Sequence, residues 1–267
     1  GAAITDSSTL TVSGASDFTI DTGNNHITLG TAALTGAIGV ATSGTSNFTL
    51  DNTTTAVNLG TVGVTGALSV TSGAAITDSG VITVGGAATF VTDVNDVDII
   101  LNNDNAITGA VTFTTQTGGS NGADITFDNG TTAISLAGFT TRGNLTLQTD
   151  AAIALTGHTV NGALAVTSAD AITQSAALTV SGTSSFTSTG TNTNITLSNA
   201  SNALTGAVTL TTAGTSGDVS IDNNTTALGI QGTINGGLTV VNGAAITDSS
   251  TLTVSGASDF TIDTGNN

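Results

Sequence analysis

Residues 206–230 read GAVTLTTAGTSGDVSIDNNTTALGI. Within them the runs AVTL, DVSI and ALGI alternate apolar with small polar residues. A period of two places one set of side chains on each face of an extended strand. The corner IDNN, like TGNN, LDNTT and FDNG elsewhere in the chain, carries Asn, Asp and Gly, which tolerate the left-handed dihedrals of tight turns. A unit of three short strands cannot bury a core by itself, so it must stack on copies of itself.

The copies are present. A glycine followed by a small residue, with an aliphatic residue or Phe three positions further on, recurs at Gly14, Gly36, Gly66, Gly86, Gly109, Gly143, Gly162, Gly182, Gly206, Gly236 and Gly256. The apolar members are Phe18, Val40, Val70, Phe90, Phe113, Leu147, Val166, Phe186, Leu210, Val240 and Phe260. Each glycine is expected at a coil corner where a Cβ would clash, and each apolar member in a core ladder. The steps between glycines are 22, 30, 20, 23, 34, 19, 20, 24, 30 and 20, which together make 242. Ten units, with a mean step near 24, follow from that count.

Two longer repeats frame these units. The tripeptide AIT opens similar passages at Ala3, Ala75, Ala171 and Ala245, with spacings of 72, 96 and 74. The whole segment from Gly1 to Asn25 returns unchanged at Gly243 to Asn267, a shift of 242. Structural constraint alone does not keep so long a segment identical. The expectation is one full period, 1–242, followed by the start of the next, 243–267, in a tandem array.

Composition supports strands and excludes several functions. The 267 residues contain no Lys, Glu, Pro, Cys, Met, Trp or Tyr, and Arg142 is the single strong base. β-Branched residues dominate and the usual helix formers are scarce, which points to an all-β chain. A net charge of −17 with one Arg cannot displace the counterions of a phosphate backbone, so nucleic acid is not an expected partner. Without Cys there are no disulfides or thiolate metal sites. No apolar run reaches the ~18 residues of a membrane helix, so membrane contact is expected only through segments outside this sequence.

The fold expected is a parallel β-solenoid, a right-handed β-helix running as one continuous rod over 1–267. It would have about ten coils per period and three short strands per coil. At ~4.8 Å per rung, one period would rise about 48 Å. Asn and Asp at the LDN, FDN and IDN corners are expected to stack into ladders. A string of antiparallel sandwich domains is the alternative, but it calls for linkers every ~100 residues, and none is visible.

The passages ALTVSGTSSFT (177–187), NITLSNASNALTGAVTLTTAG (194–214) and GALAVTSADAITQSAALTV (162–180) resemble the repeats of filamentous-haemagglutinin-like bacterial surface adhesins. The resemblance implies an exported, extracellular stem or fibre built as a right-handed β-solenoid, and no catalysis. The partner it implies is the same rod, by head-to-tail continuation or lateral association.

Few residues stand out as sites. The stretch TDVNDVDIILNNDN (92–105) makes Asp93, Asp96, Asp98 and Asp104 the candidate calcium ligands, because Ca²⁺ wants six to eight oxygens. It has no EF-hand pattern, and no other cofactor is expected. Diffuse cation screening of so acidic a rod is the competing reading. His26 and His158 are expected on the surface, and no motif pairs either with a Ser nucleophile. A polysaccharide-degrading β-helix would need paired carboxylates, and an acidic sugar would need cations beyond Arg142. Thr9/Thr11, Thr112/Thr114 and Thr209/Thr211 are local Thr-x-Thr pairs of the kind an ice- or glycan-binding face requires, but they do not recur in every coil. N-x-S/T triplets at Asn47, Asn52, Asn144, Asn194, Asn199 and Asn224 follow from the abundance of these residues. A structural role is therefore expected, with an end-to-end polymerising subunit as the alternative.

Overall fold

A computed structural model describes residues 2–116, 118–119 and 122–263. All regular structure among them is β-strand, and the pairings are parallel. The chain is a β-solenoid. Antiparallel sandwiches are thereby replaced by stacked coils, each strand lying in register on its counterpart about one coil away. Two compact units are present, Gly1–Ser135 and Leu136–Asn267.

In the first unit one column of paired residues runs Ile4, Ile27, Phe48, Leu68, Ala88, Val111. In the second, three columns show the three sides of the coil. They start at Thr140–Thr141, Leu145–Thr149 and Ile153–Leu155, and each strand pairs with its equivalent on the next coil. The third column continues through Ile172, Ile195, Val219 and Leu238 to Ser258. Successive members of either column are 19 to 24 apart in sequence number, with a mean near 21.

The coil is therefore shorter than the glycine spacing suggests, and a period holds more than ten coils. The long steps explain the difference. Gly36 lies over Gly14, but Gly66 lies over Ser46, on a different corner. Likewise Gly206 lies over Gly182, whereas Gly236 lies over Gly217. The steps from Gly36 to Gly66 and from Gly206 to Gly236 are each one coil plus one further side.

The corner glycines therefore form separate short columns, in which the amide of one donates to the carbonyl below. Gly86 N–H to Gly66 O is 2.9 Å, and Gly182 N–H to Gly162 O is 3.0 Å. So close an approach leaves no room for a side chain. A Cβ on Gly86 would sit 2.7 Å from the Gly66 carbonyl oxygen, and one on Gly109 would collide with the Gly86 carbonyl. Gly14 is the exception: a Cβ there meets nothing within 4 Å, because it begins its column.

The apolar residues follow the same columns: Phe18 on Val40, Val70–Phe90–Phe113, Leu147–Val166–Phe186–Leu210, and Val240 on Phe260. Nine of these eleven are buried. Phe18 is half-buried and Phe260 is 49% exposed, so these two do not sit in the core. They lie on the first and last coils described, where a coil covers one side of the ring. Inside, like residues stack on like, as in Ile76–Ile99–Ile125 and in the Phe90–Phe113 pair at 5.7 Å between ring centres. Such ladders place an aliphatic or aromatic contact at every rung.

A clean test contrasts two glycines at the same place in the motif. Gly109→Ala forces a methyl into backbone and is expected to cost about 1–3 kcal/mol. Gly14→Ala should lie within about 0.5 kcal/mol of the parent. Urea unfolding followed by circular dichroism reads both; equal losses would contradict the column assignment.

Candidate functional site

Two kinds of place on the coil carry polar chemistry: its corners and its outward faces. The corners are the most elaborate. DNTTTA (51–56), DNGTTA (128–133) and DNNTTA (222–227) adopt one geometry. The Asp carboxylate accepts the N–H two positions on, at 2.9, 2.8 and 2.9 Å for Asp51, Asp128 and Asp222. The third residue is left-handed, with φ of +43° at Thr53, +51° at Gly130 and +54° at Asn224. The Asn turns inward and is fully buried in each case.

That buried amide joins two coils. Asn129 Oδ1 accepts the Ile107 N–H at 2.9 Å, and its Nδ2 donates to the carbonyls of Ile107, Thr132 and Ala133. Asn52 does the same with Leu34, Thr55 and Ala56, and Asn223 with Leu204 and Thr226. A buried backbone group without a partner costs about 1–3 kcal/mol, so each amide removes several such penalties. The corner asparagines thus bond to backbone, not to one another as the ladder expectation had it.

A second clasp begins at the residue after AIT. Asp6 accepts the N–H groups of Gly30 (2.9 Å) and Thr31 (2.8 Å), on the coil that follows. Asp78 accepts those of Asn102 and Asn103, and Gln174 that of Asn199. The Gly30 N–H, with that of Thr31, holds the Asp6 carboxyl below its ordinary pKa. The AIT passages are therefore the points at which one coil grips the next.

The calcium candidates are not gathered into a site. Asp93 and Asp104 are exposed. Asp96 accepts the Gly122 N–H at 2.8 Å and Asp98 the Asp124 N–H at 2.9 Å. Asn192 and Asn194 are their counterparts one AIT spacing later, and they make equivalent bonds to Thr215 and Asp218. Asp96 and Asn192 even share a left-handed backbone, φ +57° and +62°. A neutral amide fills both roles, so the carboxylates serve as backbone acceptors. Among the described residues no three His or Asp side chains are close enough to share a metal.

His26 is exposed, with Nδ1 accepting the Asn47 N–H at 3.0 Å. His158 is not on the surface: it is 1% exposed, edge-on to Phe139 at 4.9 Å between ring centres. It occupies an inward position stacked between Phe139 and Leu178, one coil to either side. Thr156 donates its hydroxyl to the Leu136 carbonyl, so towards His158 Nε2, 3.3 Å away, it accepts. That selects the Nε2–H tautomer and leaves Nδ1 in the apolar interior. Nothing in the sequence around His158 marks it as inward except its place two positions before Val160 in an alternating run. Burial pushes its pKa down to about 4.

Outward, hydroxyls align rung on rung. Thr5, Thr28, Thr49, Ser69, Thr89 and Thr112 form one column in the first unit. Gln148, Thr167, Thr187, Thr211, Thr233 and Thr253 form another in the second. The Thr-x-Thr pair itself does not recur in every coil: Val91, Asp51, Ala165, Ser185 and Gln231 each take one of its two places. At the last described coil Ile230, Ile246, Leu252, Phe260 and Ile262 line an open apolar cleft of about 390 Å³.

With this geometry in hand, comparison with known proteins finds one family model, described as repeats of unknown function (DUF5649). It matches residues 45–114, 142–211 and 216–267, well over half of the chain. The chain belongs to that family. Each DUF5649 match holds one of the passages opened at Ala75, Ala171 and Ala245, at a nearly constant offset from its start. A full match such as 45–114 is a little over three coils, and it brings the clasp with it. No curated protein matches. No solved structure matches either.

Two measurements test these assignments. The Asp96→Asn/Asp98→Asn variant is expected to keep its stability within about 0.5 kcal/mol, with calcium raising Tm no more than magnesium does. A calcium-specific rise lost in the variant would restore the metal site. For His158, the unfolded imidazole takes up a proton as the pH falls below about 6.5 while the buried one does not. Stability is then full above pH 6.5 and lost as the pH falls to about 4, by about 3 kcal/mol in all. Denaturation midpoints at pH 7 and 4.5 should show it, and His158→Leu should flatten it.

Proposed function

We propose that the chain is a segment of a structural stem or fibre in an extracellular bacterial filament or adhesin, and that it performs no catalysis. One observation carries the reading. Coils grip their neighbours through backbone pairing, and at Asp6, Asp78 and Gln174 a clasp is aimed at the coil that follows, in a sequence that begins to repeat itself at Gly243. Such a unit extends by adding coils, and a longer rod is the product.

The resemblance to filamentous-haemagglutinin-like repeats supports a place at the cell surface. So does the chemistry: an outer face of Thr, Ser, Asn and Asp is well hydrated, while a charge of −17 keeps rods apart until cations screen it. The partner is then the same rod. Its mechanism is mechanical, since pulling along the axis loads many interstrand bonds together.

Cryo-EM of material shed from or attached to intact cells, with intact mass on the same sample, tests the proposal. Thin fibres with a rung spacing of ~4.8 Å, labelled by antibody on unpermeabilised cells, are expected. Discrete particles confined to the cell interior would overturn it.

A further inference from the structure

Several corners of the coil carry a latent reaction. The chain has five Asn-Gly steps, beginning at Asn121, Asn129, Asn161, Asn235 and Asn242. This dipeptide is especially prone to spontaneous deamidation, because glycine puts no side chain in the way when its nitrogen turns on the asparagine amide. The glycine nitrogen gives up its proton and attacks the side-chain Cγ. A C–N bond forms, the Cγ–Nδ2 bond breaks, and Nδ2 leaves as ammonia. The cyclic imide then takes up water at one of its two carbonyls, giving aspartate or isoaspartate.

The attacking nitrogen is engaged at every step. Gly122 N–H donates to the Asp96 carboxylate and Gly130 N–H to that of Asp128, each at 2.8 Å. Gly162, Gly236 and Gly243 N–H donate to the carbonyls of Gly143, Gly217 and Asn224 on the preceding coil. A nitrogen held in this way is released only when the pairing opens locally, so local opening sets the rate of attack.

The asparagine side of the reaction differs from step to step. Asn129 and Asn242 are fully buried. Asn129 Nδ2 donates to the carbonyls of Ile107, Thr132 and Ala133, and Asn242 Nδ2 to those of Ala244 and Ala245. Asn235 Nδ2 donates to the Thr212 carbonyl at 2.7 Å. Asn121 lies outside the described residues. Asn161 stands apart: it is exposed, and among the described residues its side-chain amide has no hydrogen-bond partner. Thr108 and Thr205, which precede corner glycines in the same way, tie their hydroxyls to carbonyls of the preceding coil.

We propose that Asn161–Gly162 is a modification site, a deamidating step whose rate is set by the pairing of Gly162 with Gly143. Asn129, Asn235 and Asn242 are held at both the glycine nitrogen and the asparagine amide. This is a property of the single chain, whether or not a fibre forms. The two products differ in consequence. Aspartate at 161 adds one exposed charge. Isoaspartate carries the main chain through the side-chain carbon and lengthens it by about one C–C bond, ~1.5 Å. Gly162 has no room for that shift: a Cβ on it would lie 2.6 Å from the Gly143 carbonyl oxygen, and one on Gly182 would lie 2.5 Å from the Gly162 carbonyl oxygen. A corner that opens long enough to react to isoaspartate therefore does not close again in register.

Incubation of the full chain in mildly alkaline buffer, folded and in urea, followed by proteolysis and mass spectrometry, reads the conversion of each asparagine. In urea the five steps should convert at similar rates. In the folded chain Asn161 should convert ~10-fold more slowly than in urea, while Asn129, Asn235 and Asn242 stay unmodified over the same time. Conversion of Asn161 at its urea rate would show that Gly143 does not hold Gly162 and would overturn the proposal. So would faster conversion of Asn129, Asn235 or Asn242 than of Asn161 in the folded chain, or no conversion of Asn161 there over many half-times of the urea control. The deamidated fraction that contains isoaspartate should unfold at a lower urea concentration than Asn161→Asp, which carries the same charge without the extra main-chain atom. Equal midpoints would refute the account of the lengthened chain.

Discussion

Parallel backbone pairing between successive coils, such as Ile4 on Ile27 and Ile153 on Ile172, is the constraint on which the rest of this protein depends. A single coil in the regular stretches has three short strands, as at Thr140–Thr141, Leu145–Thr149 and Ile153–Leu155, and no core of its own. Its strands are satisfied by the coils on either side, and its apolar side chains are buried by the same neighbours. Register therefore decides everything else. It sets Phe113 on Phe90, brings Gly109 so close over the Gly86 carbonyl that a Cβ would collide with it, and brings the Asn129 amide level with Ile107.

Corners are where the pairing would fail, and the chain repairs them with a small chemical vocabulary. At the glycine corners the backbone goes on pairing between strands, but at the Asp-Asn corners some N–H and carbonyl groups need a side-chain partner. Asn52, Asn129 and Asn223 supply both a donor and an acceptor from inside the coil. Asp6, Asp78 and Gln174 supply acceptors from outside. The interchange of Asp96 and Asp98 with Asn192 and Asn194 shows that the hydrogen-bond acceptor matters at these positions and the charge does not. Much of the negative charge is thus a consequence of using Asp as a corner acceptor on a solvated surface.

His158 departs from this pattern. It fills a place that Phe139 and Leu178 hold on the adjacent coils, and it does so as a neutral ring with one polar contact. Burial of that kind makes the coil around it sensitive to acid in a way that its neighbours are not, because the charged form has no favourable place to sit.

The all-β class, the stacked coils, the alternation of inward Val, Ile and Leu with outward Thr and Ser, and the glycine corners were legible in the residues. They are local properties, set by a period of two along each strand and by recurrence along the chain. What the tertiary structure alone decided is how the coils align. The long glycine steps ending at Gly66 and Gly236 each hide a coil plus one side, because a corner can move around the ring while the sequence still shows the same motif. The same holds for the exposure of Phe260 and the burial of Phe186, which have equivalent places in the motif but different numbers of covering coils. It holds also for the acids at 96 and 98 and for His158. Their roles depend on which backbone group arrives from an adjacent coil, a full turn away along the chain, and that meeting is fixed by pairing in space.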